Sequence, residues 1–454
     1  MIKKSDLFKK KVFSVSPPIM VFFSFFIVIM FGAILLSLPI SSESGKFTSF
    51  TDALYTATSA TCVTGLVLFD TADYWSWFGE ITILFLIQVG GLGLITLMTF
   101  FMSVMGRKSG LKSMVLAQES LNTFNWYDAI HLVRGVTAVV FGIEFIGAVI
   151  LSASFVPQYG VIGIYYGIFH SVSAFCNAGF DVLGGLQSMS GQADNPIVLY
   201  TISILVMIGG LGFIVWQDIW SYKNVRKLRL HTKIVLVVSL ALWIGGTIFV
   251  YIVEGQNVNT LGSIPTRERF DAAFFLSVNA RTSGYASFNL YAMKDVTKIF
   301  ISLLMFIGAA SGSTGGGIKV NTIGILLIAL FSVIRSTDDI IFNKKHISIQ
   351  TVLRAFTIFL LSGVLLLFVI FVISLLIPQY RFVDTLFEST SAFGTVGLSI
   401  GLSTSPYYSD LAKYIHTITM FIGRVGPMTF AVTLTLRKQK RTTIIYPESK
   451  IVVG

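Results

Sequence analysis

The sequence predicts an all-α polytopic membrane protein: four repeats of span, short helix, glycine-closed segment and span, arranged about a pseudo-fourfold axis. Three observations predict it. Hydrophobic residues fill 54% of the 454 positions, charged residues only 12%, and the mean hydropathy is +0.79, more apolar surface than a soluble core of this size can hide. Nearly uncharged runs of spanning length recur along the chain. Between them lie four semi-polar segments ending on glycines 65, 179, 284 and 397, at spacings of 114, 105 and 113 residues. A near-constant period of that kind marks internal repetition.

The apolar runs lie at 18–40, 81–105, 135–156, 197–217, 234–253, 299–318 (continuing through 320–334), 355–377 and 414–436. Each meets the roughly 20 residues needed to cross the hydrocarbon, which gives eight spans. The first follows five lysines but has full spanning length and no small-residue cleavage site, so it is read as retained. Of the 33 Lys and Arg, 23 fall before the first span, in 106–134 (Arg107, Lys108, Lys112, Arg134), in 220–233, in 335–354 and after 436. Those segments share one side of an eight-span topology. By the positive-inside tendency that side is the cytoplasm of a bacterial cell, with both termini on it. The net charge of +11 is therefore a matter of topology and of contact with anionic membrane lipid. No basic-aromatic interleaving points to nucleic acid. The expected organisation is a cytoplasmic segment 1–17, repeats at 18–105, 106–219, 220–334 (its second span broken) and 335–436, and a cytoplasmic tail 437–454.

Enzyme chemistry finds little support. The two cysteines form no CxxC, the five histidines no HExxH, and neither GxSxG nor a phosphate-loop spacing occurs, GSTGGGIK at 312–319 being misspaced.

The four semi-polar segments read FTDALYTATSATCVTGL (50–66), YGIFHSVSAFCNAGF (166–180), FDAAFFLSVNARTSGY (270–285) and FVDTLFESTSAFGTVGL (382–398). Aligned on their closing glycines, they carry Asp52, Tyr166, Asp271 and Asp384 thirteen residues upstream, and Ser59, Ser173, Val278 and Ser391 six upstream. An acid at the start of a ten-residue helical stretch suits the positive end of a helix dipole. Backbone that is not helical is tolerated at membrane depth only where it is buried in protein or lines a wet cavity. Four such segments about one axis can aim carbonyls, and the negative ends of their short helices, at a desolvated cation. Glycine admits the backbone angles and the close approach this needs. GTVG at 394–397, a weak signal alone, reads in this context as one quarter of a selectivity filter. Its expected members are Thr61, Cys62, Val63, Thr64 and Gly65, then Cys176, Asn177, Ala178 and Gly179. Arg281, Thr282, Ser283 and Gly284 follow, and Gly394, Thr395, Val396 and Gly397 complete it.

On the four motifs TCVTGL, FCNAGF, ARTSGY and FGTVGL, and over nearly its whole length, the chain resembles the membrane subunits of the Ktr-type bacterial potassium uptake systems, within the Trk/Ktr/HKT superfamily of fourfold pseudosymmetric cation transporters. Ktr is favoured over Trk because the first span begins near Pro18, whereas Trk subunits carry two further spans in front. In that superfamily a serine in place of the first filter glycine accompanies sodium transport, and here Gly65 stands there. Ser283 precedes the third glycine where alanine is expected. The resemblance implies potassium held by the filter carbonyls, with sodium dependence left open. It also implies a homodimer beneath which a cytoplasmic ring of KtrA-like subunits binds adenine nucleotides. The longest cytoplasmic connection, 106–134, and the 18 residues after 436 are too short to fold as such a domain. The contact is expected at 220–233, 335–354 and the tail.

After each filter the sequence repeats VGGLGLI, IGGLGFI, IGAASGSTGGGIKV and IGRVGPM, with leading glycines 90, 209, 308 and 423. The third copy is extended. Its run Ala310, Ser311, Gly312, Ser313, Thr314, Gly315, Gly316, Gly317 should break the helix. Read with the resemblance, it forms a mobile loop gating the cavity beneath the filter, with Lys319 at its end. A lipid-buried kink or a close small-residue helix contact is the alternative. Arg424 takes the place of Gly91, Gly210 and Ala309. A charge at membrane depth is functional by default, and a salt bridge to Glu144 is its structural alternative. Asp70 and Asp181 follow two of the filters and would raise the local cation concentration, if they are more than solvated loop acids. Two function classes remain: a channel-like potassium conductor, and a secondary transporter of another small solute using broken helices at the midplane. Four equivalent re-entrant segments favour the first.

Overall fold

The computed structural model describes residues 17–93, 126–225, 227–337 and 339–430. Each repeat supplies an outer, a short and an inner helix. The outer helices are α1 (Pro17–Ser37), α4 (Trp126–Tyr159), α8 (Leu230–Glu254) and α12 (Ile349–Leu376). The short ones are α2 (Phe50–Thr61), α5 (Ile162–Phe175), α9 (Thr266–Asn279) and α13 (Phe382–Gly394). The inner ones are α3 (Trp77–Leu92), α6 (Pro196–Leu211), α10 (Asp295–Phe306) and α14 (Asp410–Val425). Helix α7 (Phe213–Val225) leaves α6 at a 93° bend, and α11 (Val320–Ile334) resumes after the glycine-rich loop. A small antiparallel hairpin, β1 (Ile341–Phe342) with β2 (Lys345–His346), precedes α12.

The outer helices are long and apolar enough to cross a membrane singly, over Ile19–Ser37, Gly135–Tyr159, Leu230–Glu254 and Ile349–Leu376. The inner helices are not. At 16, 16, 12 and 16 residues they rise about 24 Å or less, short of the ~30 Å hydrocarbon. Continuous spans over 81–105, 197–217 and 414–436 are therefore corrected. α3, α6 and α14 each stop at a glycine three residues beyond the leading one: Gly93 (φ 79°), Gly212 (φ 88°) and Gly426 (φ 96°). Left-handed backbone, cheap only for glycine, turns the chain out of the helix there. The third inner helix is thus not alone in being broken; its inserted loop sets it apart. Residues 94–105 and 431–436 of the expected spans, and 1–16, 106–125 and 437–454, lie outside the described residues.

Each outer helix packs on the short helix of its own repeat, and each inner helix on that of the next: α3 on α5, α6 on α9, α10 on α13, α14 on α2. A polar tie repeats at every such junction. Tyr165 Oη donates to Glu80 Oε2 (2.6 Å), Tyr200 Oη to Asp271 Oδ1 (2.5 Å), Lys298 Nζ to Asp384 Oδ1 (2.7 Å) and Lys413 Nζ to Asp52 Oδ1 (2.8 Å). The fourth tie returns to the first repeat, so the ring closes. Tyr166, which breaks the acid pattern in the sequence, stands beside the one junction where acid and donor have changed sides.

Lys298 and Asp384 are 0% and 2% exposed. Removing one member of a buried pair leaves the other charge uncompensated. Asp384→Asn should lower stability by about 3 kcal/mol, read as a depressed melting temperature in detergent, and Lys298→Met combined with Asp384→Leu should lose less than the single change.

Candidate functional site

The glycine-closed segments of the four repeats meet at one place with one backbone geometry. Two residues before each closing glycine the chain turns left-handed, at Val63 (φ 57°), Asn177 (62°), Thr282 (76°) and Thr395 (49°), and again at Gly65 (88°), Gly179 (71°), Gly284 (76°) and Gly397 (93°). The N–H of the residue between them bonds back to the short helix: Thr64 to Ser59 O (2.7 Å), Ala178 to Ser173 O (2.7 Å), Ser283 to Asn279 O (3.1 Å), Val396 to Ser391 O (2.9 Å). Ser59 and Ser391 hydroxyls also accept the N–H of Gly65 (3.1 Å) and Gly397 (3.0 Å). Val278 cannot do this, and Asn279 O takes the Gly284 N–H instead (3.2 Å). Ser173 turns elsewhere, donating to Phe180 O (2.9 Å) and accepting from Tyr285 Oη (2.8 Å).

The glycines close a cycle. A Cβ added to Gly65 would fall on the carbonyl oxygen of Ala178, one on Gly179 on that of Ser283, one on Gly284 on that of Val396, and one on Gly397 on that of Thr64, each closer than the 3.0 Å real Cβ atoms keep. Every glycine thus seats the carbonyl of the residue preceding its counterpart in the next repeat. No described donor bonds the carbonyls of Thr64, Ala178, Ser283 and Val396.

On one side of the ring lies the loop 310–317, threaded into the other repeats. Ala310 N–H donates to Gly210 O (3.0 Å), Thr314 N–H to Gly209 O (3.3 Å), Gly317 N–H to Gly423 O (3.2 Å), and Phe213 N–H to Gly312 O (2.9 Å). Thr314 Oγ1 donates to Asn177 Oδ1 (2.9 Å), and a Cβ on Gly315 or Gly316 would strike the hydroxyl of Thr282 or Thr395. Ser313 Oγ bonds Ala310 O (2.6 Å), Ser311 O lies against Gly212, and Lys319 Nζ reaches Gly315 O (2.7 Å). Arg424 donates to the carbonyls of Thr314, Gly90 and Gly91. The salt bridge to Glu144 is corrected: Glu144 accepts from Gln88 instead. Arg281 belongs to the third segment through its backbone. Its side chain turns behind the ring, to Ser239 O (3.4 Å), Gly308 O (3.1 Å) and the Trp243 face (5.2 Å). Cys62 and Cys176 are buried and unpaired with each other.

The family model described as TrkH, cation transport protein, matches residues 2–442. The chain belongs to that family. It is 40% identical to the potassium/sodium uptake protein NtpJ of Enterococcus hirae, covering 97% of both chains. It is 38% identical to the Ktr system potassium uptake protein B of Vibrio alginolyticus, covering 96% of this chain and 95% of that one. The solved potassium transporter TrkH of Vibrio parahaemolyticus superposes with a TM-score of 0.73 over 93% of this chain and 86% of that one, at 17% identity, a likeness of fold. The TrkH family is one of membrane ion transporters, not of enzymes.

On the other side of the ring, this TrkH-family chain holds a cavity of about 490 Å³ lined by all four closing glycines, Asp181 and Ser399. Asp70 is not among its walls; it accepts from Ala72 N–H (2.9 Å) and Leu186 N–H (2.5 Å) and shapes the loop. Sequence reasoning missed Glu388, whose buried carboxyl fixes the cavity wall by accepting from Ser399 Oγ (2.8 Å), Ile400 N–H (3.1 Å) and Ser403 N–H (3.2 Å). Its sequence signal is a second acid in the short helix, four residues after Asp384.

Burial, and the charge of Asp70 beside it, push the Asp181 carboxyl up to about 7. It is negative above that pH and neutral below. Its attraction for a cation is present at alkaline pH and lost as pH falls through 7. Apparent cation affinity should drop about fivefold between pH 8 and 6, the size of about 1 kcal/mol. Asp181→Asn should flatten that dependence in uptake assays at varied external pH.

Proposed function

We propose that this chain takes up potassium ions across a bacterial cell membrane, moving them along the axis of the carbonyl ring, with the loop 310–317 as the gate. The closed cycle of glycines and carbonyls carries this reading. Four equivalent backbone segments present unbonded oxygens at one place, where they can replace the hydration shell of a desolvated cation. The relatives named for potassium uptake supply the ion. The resident groups are the carbonyls of the four segments from Thr61–Gly65 to Gly394–Gly397, and potassium is the cargo they hold in transit. Sodium enters as a companion ion, in symport, on the strength of the Enterococcus hirae relative. Arg424 and Lys319 hold the loop shut beneath the ring by binding its carbonyls.

The reading extends to assembly. The chain acts as a homodimer with both termini in the cytoplasm, above a KtrA-like ring that binds adenine nucleotides. The basic hairpin, with Ile341, Lys345 and His346 exposed, lies in the 335–354 segment assigned to that contact.

Gly65→Ser, Gly179→Ser, Gly284→Ser and Gly397→Ser each put a side chain where a neighbour's carbonyl sits. Rubidium uptake into cells lacking other potassium systems should show each losing roughly tenfold in apparent affinity, equivalent to about 1.4 kcal/mol, or losing discrimination against sodium. Four variants with unchanged affinity and selectivity would overturn the ring as the ion path.

Shortening 310–317, or Arg424→Ala, should raise uptake velocity severalfold while leaving the apparent affinity nearly unchanged, because the ring is not touched. A well-expressed variant with lower velocity would sink the gate.

A further inference from the structure

Away from the ring, an acid in the middle of an outer helix stands, among the described residues, without a counter-charge. Glu144 lies mid-way along α4 and is 4% exposed. Both its oxygens accept from a single amide, Gln88 Nε2 (3.1 and 3.2 Å), and Cys176 Sγ stands 3.8 Å from Oε1 and 3.9 Å from Gln88 Oε1. Among the described residues no Lys, Arg or His pairs with it. Among the described residues the surrounding elements bring none either. α3 offers Gln88 and, eight residues back, Glu80, which is bonded to Tyr165 of α5. α5 offers Cys176 at its end and His170, whose ring bonds Tyr166 O. α6 offers Tyr200, bonded to Asp271, and Arg424 of α14 is turned to carbonyls. One amide and one thiol are too few donors for an ionised carboxylate removed from water.

The acid is nevertheless reachable. A cleft of about 470 Å³ lined by Phe85, Gln88, Phe141, Glu144, Phe145 and Ile168 opens beside it. Phe85 and Phe145 are 59% and 70% exposed, so the mouth faces hydrocarbon. The cluster also backs onto the support of Arg424. Gln88 is two residues before Gly90, and Gly91 packs so closely on Cys176 that a Cβ there would strike its sulfur. The carbonyls of Gly90 and Gly91 are those that Arg424 binds.

We propose that Glu144 is a proton-binding site reached from the lipid-facing cleft, and that its protonation state sets how firmly α3 presents Gly90 and Gly91 to Arg424. With the proton on, the Glu144–Gln88–Cys176 cluster is neutral and closed. With the proton lost, the carboxylate draws water through the cleft and pulls on Gln88 and Cys176, loosening the Gly91 packing. The coupling to uptake rests on the gate reading above; the site itself does not.

The test uses the full-length protein in liposomes at a series of pH values, treated with a hydrophobic carbodiimide and read by peptide mass spectrometry. Only the protonated acid reacts: its proton passes to a carbodiimide nitrogen as a carboxyl oxygen bonds the central carbon. An adduct on Glu144 is expected, with a rate falling about tenfold per pH unit above the midpoint. Rubidium uptake by the unmodified protein should rise across the same midpoint, and Glu144→Gln should keep the low-pH rate throughout. If Glu144 stays unmodified while other carboxyls react, the site is overturned and the carbonyl ring is untouched. If it reacts but Glu144→Gln keeps the parental pH profile, the coupling is overturned. Should the variant not reach the membrane, coincidence of the labelling and uptake midpoints supports the coupling and separate midpoints refute it.

Discussion

Backbone that leaves the helix inside a membrane must find a partner for every N–H and C=O, because lipid offers none and each unmet group costs several kcal/mol. Among the described residues the chain leaves the helix four times beside its short helices, again in the loop 310–317, and briefly at Gly93, Gly212 and Gly426. The rest of the architecture answers that demand. The N–H groups of the four segments fold back onto their own short helices through Ser59, Ser173, Asn279 and Ser391, which leaves the carbonyls of Thr64, Ala178, Ser283 and Val396 to face one another. Glycine is required because the neighbouring carbonyl occupies the space of a side chain. The fourth repeat closes the cycle, because Gly397 seats the carbonyl of Thr64 in the first.

The loop meets the same demand with cations. Lys319 serves the carbonyls of Gly315 and Gly316, Arg424 those of Thr314, Gly90 and Gly91, and Arg281 that of Gly308. An ion pair would fix each of these side chains more tightly, and the chain has buried carboxylates. Instead the carboxylates are spent elsewhere: Glu144 on Gln88, Glu388 on the cavity wall, Asp384 on Lys298. A guanidinium reaching carbonyls on two different elements holds the loop without the several-kcal/mol commitment of a buried pair.

Much of this was legible in the sequence. The period of the glycines, their flanking residues and the swollen third copy gave the four segments and the loop, because backbone geometry constrains residue type wherever it recurs. The breaks in the inner helices were legible too, in GGLG, GGLG and GRVG, but hydropathy alone runs across them. The ties between repeats were not legible. They join residues 71 to 361 positions apart, and their chemistry changes from lysine to tyrosine, with the acid moving to the other partner at Glu80. What persists there is the contact, which sequence does not display. Arg424 showed its unusual depth in the sequence, whereas its partners are carbonyls, which every residue has.

Symmetry also explains where the exceptions gather. Four equivalent segments make the ring, and the third repeat is the one whose inner helix departs from the other three. In the first, second and fourth repeats the leading glycine lies against the last carbonyls of its own short helix, at Thr61, Phe175 and Phe393; in the third, Gly308 lies against Gly316 of the loop. The same repeat lacks the upstream serine, carries Arg281 behind its segment and lends its loop to the side chains of Asn177, Thr282 and Thr395. Its departures are therefore one feature: the repeat that exchanged its helical contact for a loop packed against the other repeats also rebuilt the support behind its own quarter of the ring.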